Sequence, residues 1–497
     1  MQTTNLTKNS MRKPFFFLIS FLSIVLTACD RIGDGPIDPD KPAQVPDTYL
    51  SPAIPQGKIM IMGTSGTRTD YLGAGYDVMG SFLDNRSVKS QILDVDKIPE
   101  DEISSIRLLG NYGESYEGEN AEEFLRSIMK KNDFTMPLEN KDDLLFTGTF
   151  TGNELFFKNP YDYSTQYTFV AAHGKFEEMR SQLVPMKPAH MMRYLTGHFI
   201  EEIEHGTPRS LIELYGTHVL TQVYVGYGIR QLYCPIVATD KEQAILYADE
   251  GMTARANTIY KQENVQIGFD KEKADKNFGG AILVEFAGGD FSALPRLQLL
   301  PNEVIGDPMN ITAWHKSKNP ANWTLVTLKG DGLLPIYELI ADPVKKQQVK
   351  DAVSAHIKEN QLKVLQTAPI IQAWSGKHHR YFTSFEEFRE KAGKEYTCEG
   401  VIASVFLKPQ DKTIPLYLFS DGKNDRLSTE ENPKNDNKAM AYKGIFGYVY
   451  KEYSGNECNV LYEIWNGQDY AYTSEKKEAY GEKNRWKLTG KEFYTGK

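Results

Sequence analysis

Between residues 188 and 215 apolar side chains recur at three- and four-residue steps, at Met191, Met192, Leu195, Phe199 and Ile203 and again at Leu211, Ile212 and Leu214. This spacing predicts two helices, with Pro208 placed at the first turn of the second. Residues 219–233 then read as a strand with bends at Gly226 and Gly228, because glycine inside a strand marks a kink or a close backbone approach. Residues 58–62 and 283–287 read as further strands, the latter ended by Gly288 and Gly289, and 336–340 with 349–357 as a closing helical layer. Helices and strands come in blocks without regular alternation, so the expected class is α+β rather than a doubly wound sheet.

The last part of the chain follows another pattern. Residues 371–497 hold 22 aromatics among 127 positions, denser than the 12% of the whole chain, and they repeat. Thr383, Thr429 and Thr473 stand 46 and 44 residues apart, and a glycine follows each 15 to 17 residues later, at Gly400, Gly444 and Gly490. Such spacing predicts three copies of one β-rich unit, closing as a prism- or trefoil-like domain. Among its aromatics, Tyr417, Tyr462 and Trp465 are read as fillers of the repeat cores.

One run is continuously apolar, residues 15–26, interrupted only by Ser20 and Ser23, where a spanning helix needs about 20 residues. Arg12 and Lys13 precede it and small residues follow, which is the layout of an export signal. Leu26-Thr27-Ala28-Cys29 resembles the lipobox of bacterial lipoproteins, which implies cleavage after residue 28 and acylation of Cys29. Six prolines between residues 36 and 55 read as an extended tether. The expected organisation is a signal at 1–28, a Pro-rich tether at 29–56, a main domain at 57–360 and the repeat domain at 371–497. An exported lipoprotein on the outer membrane or cell surface, or released in vesicles, is the expected localisation.

Formal charge is -9, and removing Lys8, Arg12 and Lys13 with the signal makes it -9 - 3 = -12. Nucleic acid is therefore excluded as a partner, since its binders need surplus cation. With Cys29 acylated, Cys234, Cys398 and Cys458 remain; the expected disulfide joins Cys398 to Cys458, leaving Cys234 a buried thiol.

No catalytic set is legible: the chain has no CxxC pair, phosphate loop or Gly-x-Ser-x-Gly elbow. His198 and His205 are seven residues apart where a zinc helix needs four, and His378 with His379 reads as a loop or rim pair. Neither an enzyme, nor a metal, nor a cofactor is expected.

Tyr215-Gly216-Thr217-His218-Val219, then six residues, then Gly226-Tyr227-Gly228, resembles the signature of the membrane attack complex/perforin family, with Val219 in place of an aromatic and Tyr227 in place of the second glycine. Residues 73–78 resemble that family's early loop, and Trp314 with residues 335–339 its closing segment. The resemblance implies a bent, twisted four-stranded antiparallel sheet flanked by two helical clusters, each able to refold into a β-hairpin of a barrel built by a ring of subunits. Read as residues alone, Gly216 suits a helix end and His218 a satisfied buried corner.

A barrel strand needs about 9–11 alternating residues to cross the hydrocarbon. Tyr161, Tyr163, Thr165, Tyr167 and Phe169 alternate in this way, as do Val265, Ile267 and Phe269, and these are the candidate membrane-facing sets. The expected activity is pore formation in a target membrane, with antibacterial killing the leading role. The expected partners are that membrane, further copies of the chain, and a surface receptor: a glycan, lipopolysaccharide or an outer-membrane protein. The alternative is a non-lytic surface adhesin or glycan-binding lipoprotein on the same fold.

Overall fold

The computed structural model describes residues 59–64, 71–134, 142–151, 162–164, 166–185, 187–239, 241–294, 307–317, 320–392, 394–433, 440–453, 458–474, 476, 479–480 and 486–496. The export signal, Cys29, the tether and Tyr161 fall outside them. The architecture is α+β, as the sequence pattern predicts, and its centre is one long antiparallel sheet.

Four strands make that sheet: β2 (Ile103–Gly118), β3 (Phe169–Leu183), β4 (Gln222–Val237) and β5 (Asn277–Ala287). They lie side by side in chain order; β1 (Ile59–Thr64) adds a parallel strand on β5, and the short strand Thr324–Thr327 pairs antiparallel with the start of β4. Register shifts fall between Arg107 and Gly110 and between Glu177 and Met179, at the level where Gly226 pairs with Glu177. Bulges lengthen one strand against its neighbour and increase local twist, so the sheet bends here. Gly226 lets the bend close: a Cβ on it would lie 1.9 Å from the Phe176 carbonyl oxygen.

Each face of the sheet has its own core. Ala171, Leu232, Cys234 and Ala281 pack with the N-terminal loops and with α1 (Ala121–Lys131), whose Phe124, Leu125 and Ile128 point inward. Val170, Tyr227, Tyr233, Ile282, Val284 and Phe286 turn to the other face and pack with α3 (Lys241–Ile259) and Trp314. Between β3 and β4 the chain makes the helix Gly197–His205 and then α2 (Pro208–Tyr215), where Thr207 caps the first turn and Pro208 occupies the position that needs no N–H. The closing layer forms α4 (Pro343–Glu359), packed through Val349, Val353 and Ile357.

The C-terminal part contains three like units. Strand β6 (Thr367–Trp374) turns into β7 (His379–Phe382) and pairs with β8 (Thr397–Phe406); β9 (Thr413–Ser420), β10 (Asp425–Ser428) and β11 (Ala441–Tyr450) repeat this, as do β12 (Cys458–Trp465), β13 (Tyr470–Thr473) and β14 (Trp486–Gly496). The three return strands touch in a cycle: Phe406 pairs with Tyr448, Tyr450 with Tyr494, and Gly496 with Ser404. Gly400, Gly444 and Gly490, which mark the repeat in the sequence, all have positive φ, of 137°, 128° and 86°.

The short strands meet at the other end of this pseudo-threefold. The Tyr381 N–H donates to Asp425, the Leu427 N–H to the Tyr472 hydroxyl, and the His379 N–H to Asp469. His379 thus departs from the expected rim role. It is 1% exposed, with Nδ1 2.6 Å from Asp469 and its ring over Trp374, and the paired carboxylates of Asp469 and Glu399 raise its pKa against the opposing effect of burial.

The expected disulfide is also corrected. Cys398 pairs with Ala373 at one end of β8, whereas Cys458 pairs with Gly496, which is level with Ser404. Six residues of strand, roughly 20 Å, separate those levels, far beyond disulfide reach. Both are thiols, as is Cys234, whose burial pushes its pKa up to about 12.

Candidate functional site

The signature residues form the corner where α2 gives way to the sheet. Gly216 ends the helix with φ of +71° and donates its N–H to Ile212; a Cβ there would meet the Tyr76 carbonyl carbon at 2.5 Å. Gly75 is pressed against the corner from the other side, 2.0 Å from the Tyr215 carbonyl oxygen for a Cβ. Thr217, fully buried, donates its N–H to the Tyr76 carbonyl and accepts the Val78 N–H on Oγ1. Its hydroxyl proton lies toward the Tyr76 carbonyl, so His218 Nδ1, 2.9 Å away, carries a proton toward Thr217 Oγ1. Burial lowers the His218 pKa to about 4, so the ring is neutral at physiological pH. This corner is structural chemistry, and Gly226 and Gly228 extend it by letting β4 lie against β3.

Across the middle of the sheet runs a charged row that no motif signals. Glu114, His173, Arg230 and Glu285 are mutual neighbours on β2, β3, β4 and β5. Arg230 reaches Glu285 at 2.9 Å and the Leu83 carbonyl at 2.9 Å, while Lys175 reaches Glu114 at 2.9 Å and the Thr327 hydroxyl at 2.6 Å. Burial, reinforced by Arg230 and Lys175, lowers the His173 pKa to about 3, so no extra cation enters the row. The partners are tens of residues apart in sequence, and only the strand register brings them together.

Two polar segments connect neighbouring strands of the sheet. The first, 119–168, includes α1 and the short helix Gly148–Thr151; the second, 238–276, is α3, a loop and the short helix Lys271–Ala274. They are held differently. α1 presents Phe124, Leu125, Ile128 and Met129, whereas α3 presents the narrow stripe Ala244, Ala248, Met252, Ala256 and Ile259. Ile245 and Tyr247 pack beside that stripe; an alanine methyl contributes about 0.8 kcal/mol where a large apolar side chain contributes about 1.5–3, so residue for residue the alanine positions hold α3 less firmly than the large side chains hold α1.

Asp249 weakens α3 further. Burial and the nearby Glu117 and Glu250 raise its pKa to about 6. A carboxyl held above its unfolded value binds more protons in the folded state, so its presence lowers stability progressively as pH rises from about 4 to 6. Asp249→Asn is therefore expected to stabilise the protein by on the order of 1 kcal/mol at pH 7.5 and by nothing at pH 4. Denaturant midpoints at the two pH values check this; equal midpoints at pH 7.5 would show that the carboxylate carries no penalty.

The candidate membrane-facing residues are divided. Residues 161–169 are not one strand: Asp162–Ser164 pairs with Lys363–Leu365, and β3 begins only at Phe169. Phe169 is buried between Phe124 and Phe150, and Tyr167 packs against the same core, so in this state both fill the interior; Tyr163 lies in the short strand, and its side chain is outside what is described. Val265, Ile267 and Phe269 occupy a loop after α3, where Val265 and Phe269 are exposed. Among the described residues no helix is long and apolar enough to cross a membrane, which says nothing of strands.

The three C-terminal units present equivalent outer faces with different covers. In the first, Ile371 and Val401 are buried against Ile236 and Phe278 of the main sheet, with Gln166 donating to Ser404. In the third, Trp486 covers Ile464 and Leu488, and Lys476 lies over the Tyr462 ring and pairs with Glu492. In the second, Pro415, Tyr417 and Phe419 stand opposite Tyr448, Ile445 and Tyr442, and there Tyr442 is 52% and Ile445 51% exposed. Tyr417 is half-buried and outside the repeat core: it packs against Phe419, Met440 and Tyr470, with its ring 5.9 Å from Tyr442.

No protein-family model matches the chain, and no curated protein matches it. Among solved structures it is similar to a MAC/Perforin-domain protein from Bacteroides thetaiotaomicron VPI-5482, at 19% identity and a TM-score of 0.45 over 64% of this chain and 65% of that one. It is also similar to GNIP1Aa from Chromobacterium piscinae, at 15% identity and a TM-score of 0.45 over 86% of this chain and 94% of that one. A third is Astrotactin-2, a vertebrate-specific, perforin-like membrane protein, at 14% identity and a TM-score of 0.24 over 57% of this chain and 99% of that one. Two of these three solved structures are described as a MAC/Perforin-domain protein and a perforin-like protein.

Proposed function

We propose that this is a lipidated, exported pore-forming protein whose two polar segments, 119–168 and 238–276, leave the sheet and extend its strands into a hairpin-built barrel, killing competing bacteria. One observation carries the reading: each segment joins adjacent, antiparallel strands of one bent sheet, so unwinding it lengthens both strands without changing the topology. The exposed Val265 and Phe269 and the small-residue stripe of α3 support it, because such a segment is soluble while folded and weakly attached. Acylation at Cys29 follows from the lipobox resemblance, and ring assembly from the family resemblance of the signature.

Target recognition belongs in this reading to residues 371–497, and within them to the open face of the second unit. Tyrosine rings offer rigid contact area with a polar rim, which suits a receptor loop or a sugar. The experiment is a killing and dye-entry assay on a panel of related strains, with three altered proteins beside the parent. Cys29→Ala should lose fatty-acid labelling and membrane partition. A chimera carrying 371–497 of a relative with different targets should take on that relative's range. Tyr442→Ala should weaken binding by roughly tenfold while lysis of already bound cells persists. A folded parent that binds these cells but never admits dye would instead select the non-lytic adhesin.

A further inference from the structure

Residues 76–87 cross from the signature corner to the first helical segment and touch both. Val78 joins the two: its N–H goes to Thr217 Oγ1 at 3.1 Å, and its carbonyl takes the Phe146 N–H at 2.7 Å. Next to it the Met79 carbonyl takes the Gly148 N–H at 2.8 Å, and the Phe82 N–H goes to Thr149 Oγ1 at 3.2 Å. Gly80 and Gly148 bridge backbone to backbone, and a Cβ on Gly148 would fall 2.7 Å from the Gly80 Cα. The Phe82 ring then enters the core beside Phe134 and Phe146, at 6.2 and 4.9 Å. Beyond it the Leu83 carbonyl is held by Arg230 of the charged row, and Asp77 is held from α4 by His356 at 3.1 Å.

Both sides of this contact are strained. Leu83 and Phe146 have φ of 61° and 62°, a region that costs a residue bearing a Cβ on the order of 1 kcal/mol or more. Such conformations persist only where the surroundings over-determine them, and here each supports the other.

We infer that residues 76–87 are a strap that fastens the first helical segment to the signature corner and sets the threshold for its release, with Thr217 as the positioning residue that holds the strap. The inference rests on the proposed pore-forming reading for its purpose, but the strap itself is a property of the soluble protein. The strap's contacts described above run to 146–149 of the first segment, so it is the first segment that the strap latches. Losing the Thr217 hydroxyl removes the acceptor of the Val78 N–H and so loosens the residue that Phe146 is bonded to.

The test is hydrogen exchange followed by mass spectrometry on the full-length protein in solution, with no membrane present. Thr217→Val, which does not touch residues 142–151, should speed exchange there by roughly tenfold, whereas Thr217→Ser, which keeps the hydroxyl, should leave it at the parent rate. Thr149→Val, which removes the far end of the strap's attachment, should produce the same local effect should Thr217→Val fold poorly. Exchange over 241–259 should stay unchanged in all three. Unchanged exchange at 142–151 in both valine variants, or a rise that is equal over 241–259, would overturn the strap. Dye entry is scored separately on the same proteins: a latch that loosens without any variant or the parent causing lysis would defeat the pore reading and leave the strap standing.

Discussion

Oxidised Gly251→Cys/Asn277→Cys protein is expected to be inactive in dye release, by roughly a hundredfold or more, and to regain activity on reduction, because a tether removes the extended state rather than biasing it. The pair is chosen from the geometry where the middle of α3 meets the start of β5. A Cβ on Gly251 would lie 2.6 Å from the Asn277 Cγ, which brings the two Cβ positions within cross-linking range. Residue 277 begins β5, and residue 251 lies in the middle of the helix that must straighten if 238–276 becomes a hairpin. Asn277 already acts there as a clasp, its amide donating to the carbonyls of Tyr247, Lys273 and Ala274. Target binding should survive in the oxidised form, since the tether lies in the main sheet and not in residues 371–497. Lysis by protein shown to be fully cross-linked would eliminate the unfurling of this segment.

The second large effect needs no functional assumption. Gly226→Val is expected to destabilise the protein by about 4 kcal/mol or more, because its Cβ would press on the Phe176 carbonyl oxygen and the Glu178 N–H in the bend, where neither backbone group can yield. The comparison is Gly174→Ala on the neighbouring strand. Nothing lies within 4 Å of a Cβ at Gly174, so that change should stay within about 1 kcal/mol of the parent. Denaturant titration of both measures the contrast. A parent-like midpoint for Gly226→Val would mean that the bend relaxes, and that its close approach does not limit the fold.

Why the corner was legible from the sequence and the rest was not follows from what each signal encodes. Gly216, Thr217 and Gly226 are legible through residue types and spacing that resemble a known signature, although their partners Tyr76, Val78 and Phe176 lie far away in sequence. The repeat was legible for the same reason: its bulge glycines recur at a fixed interval. The alternation at 161–169 does not reveal the folded state, because alternation describes any side that is apolar, and here Tyr167 and Phe169 pack on the core. The pairing of Cys398 with Cys458 failed because a shared region says nothing of level within a sheet, which the cyclic contact of the return strands sets. The charged row and the burial of His379 depend on partners on other strands or in other units, at distances no local pattern encodes.

The three outer faces of the C-terminal part have a consequence for how this protein changes over generations. Substitutions on the first face are judged by the main sheet it rests on, and those on the third by its own covering segment. Tyr442 and Ile445 answer to neither, because the core of their unit is built from Leu416 and Val449 on the opposite side of the same strands. Mutational drift at these two exposed positions is therefore uncoupled from folding, whereas Phe419 on the same face is buried with Met440 and Tyr470 and drifts under the same constraint as a core residue.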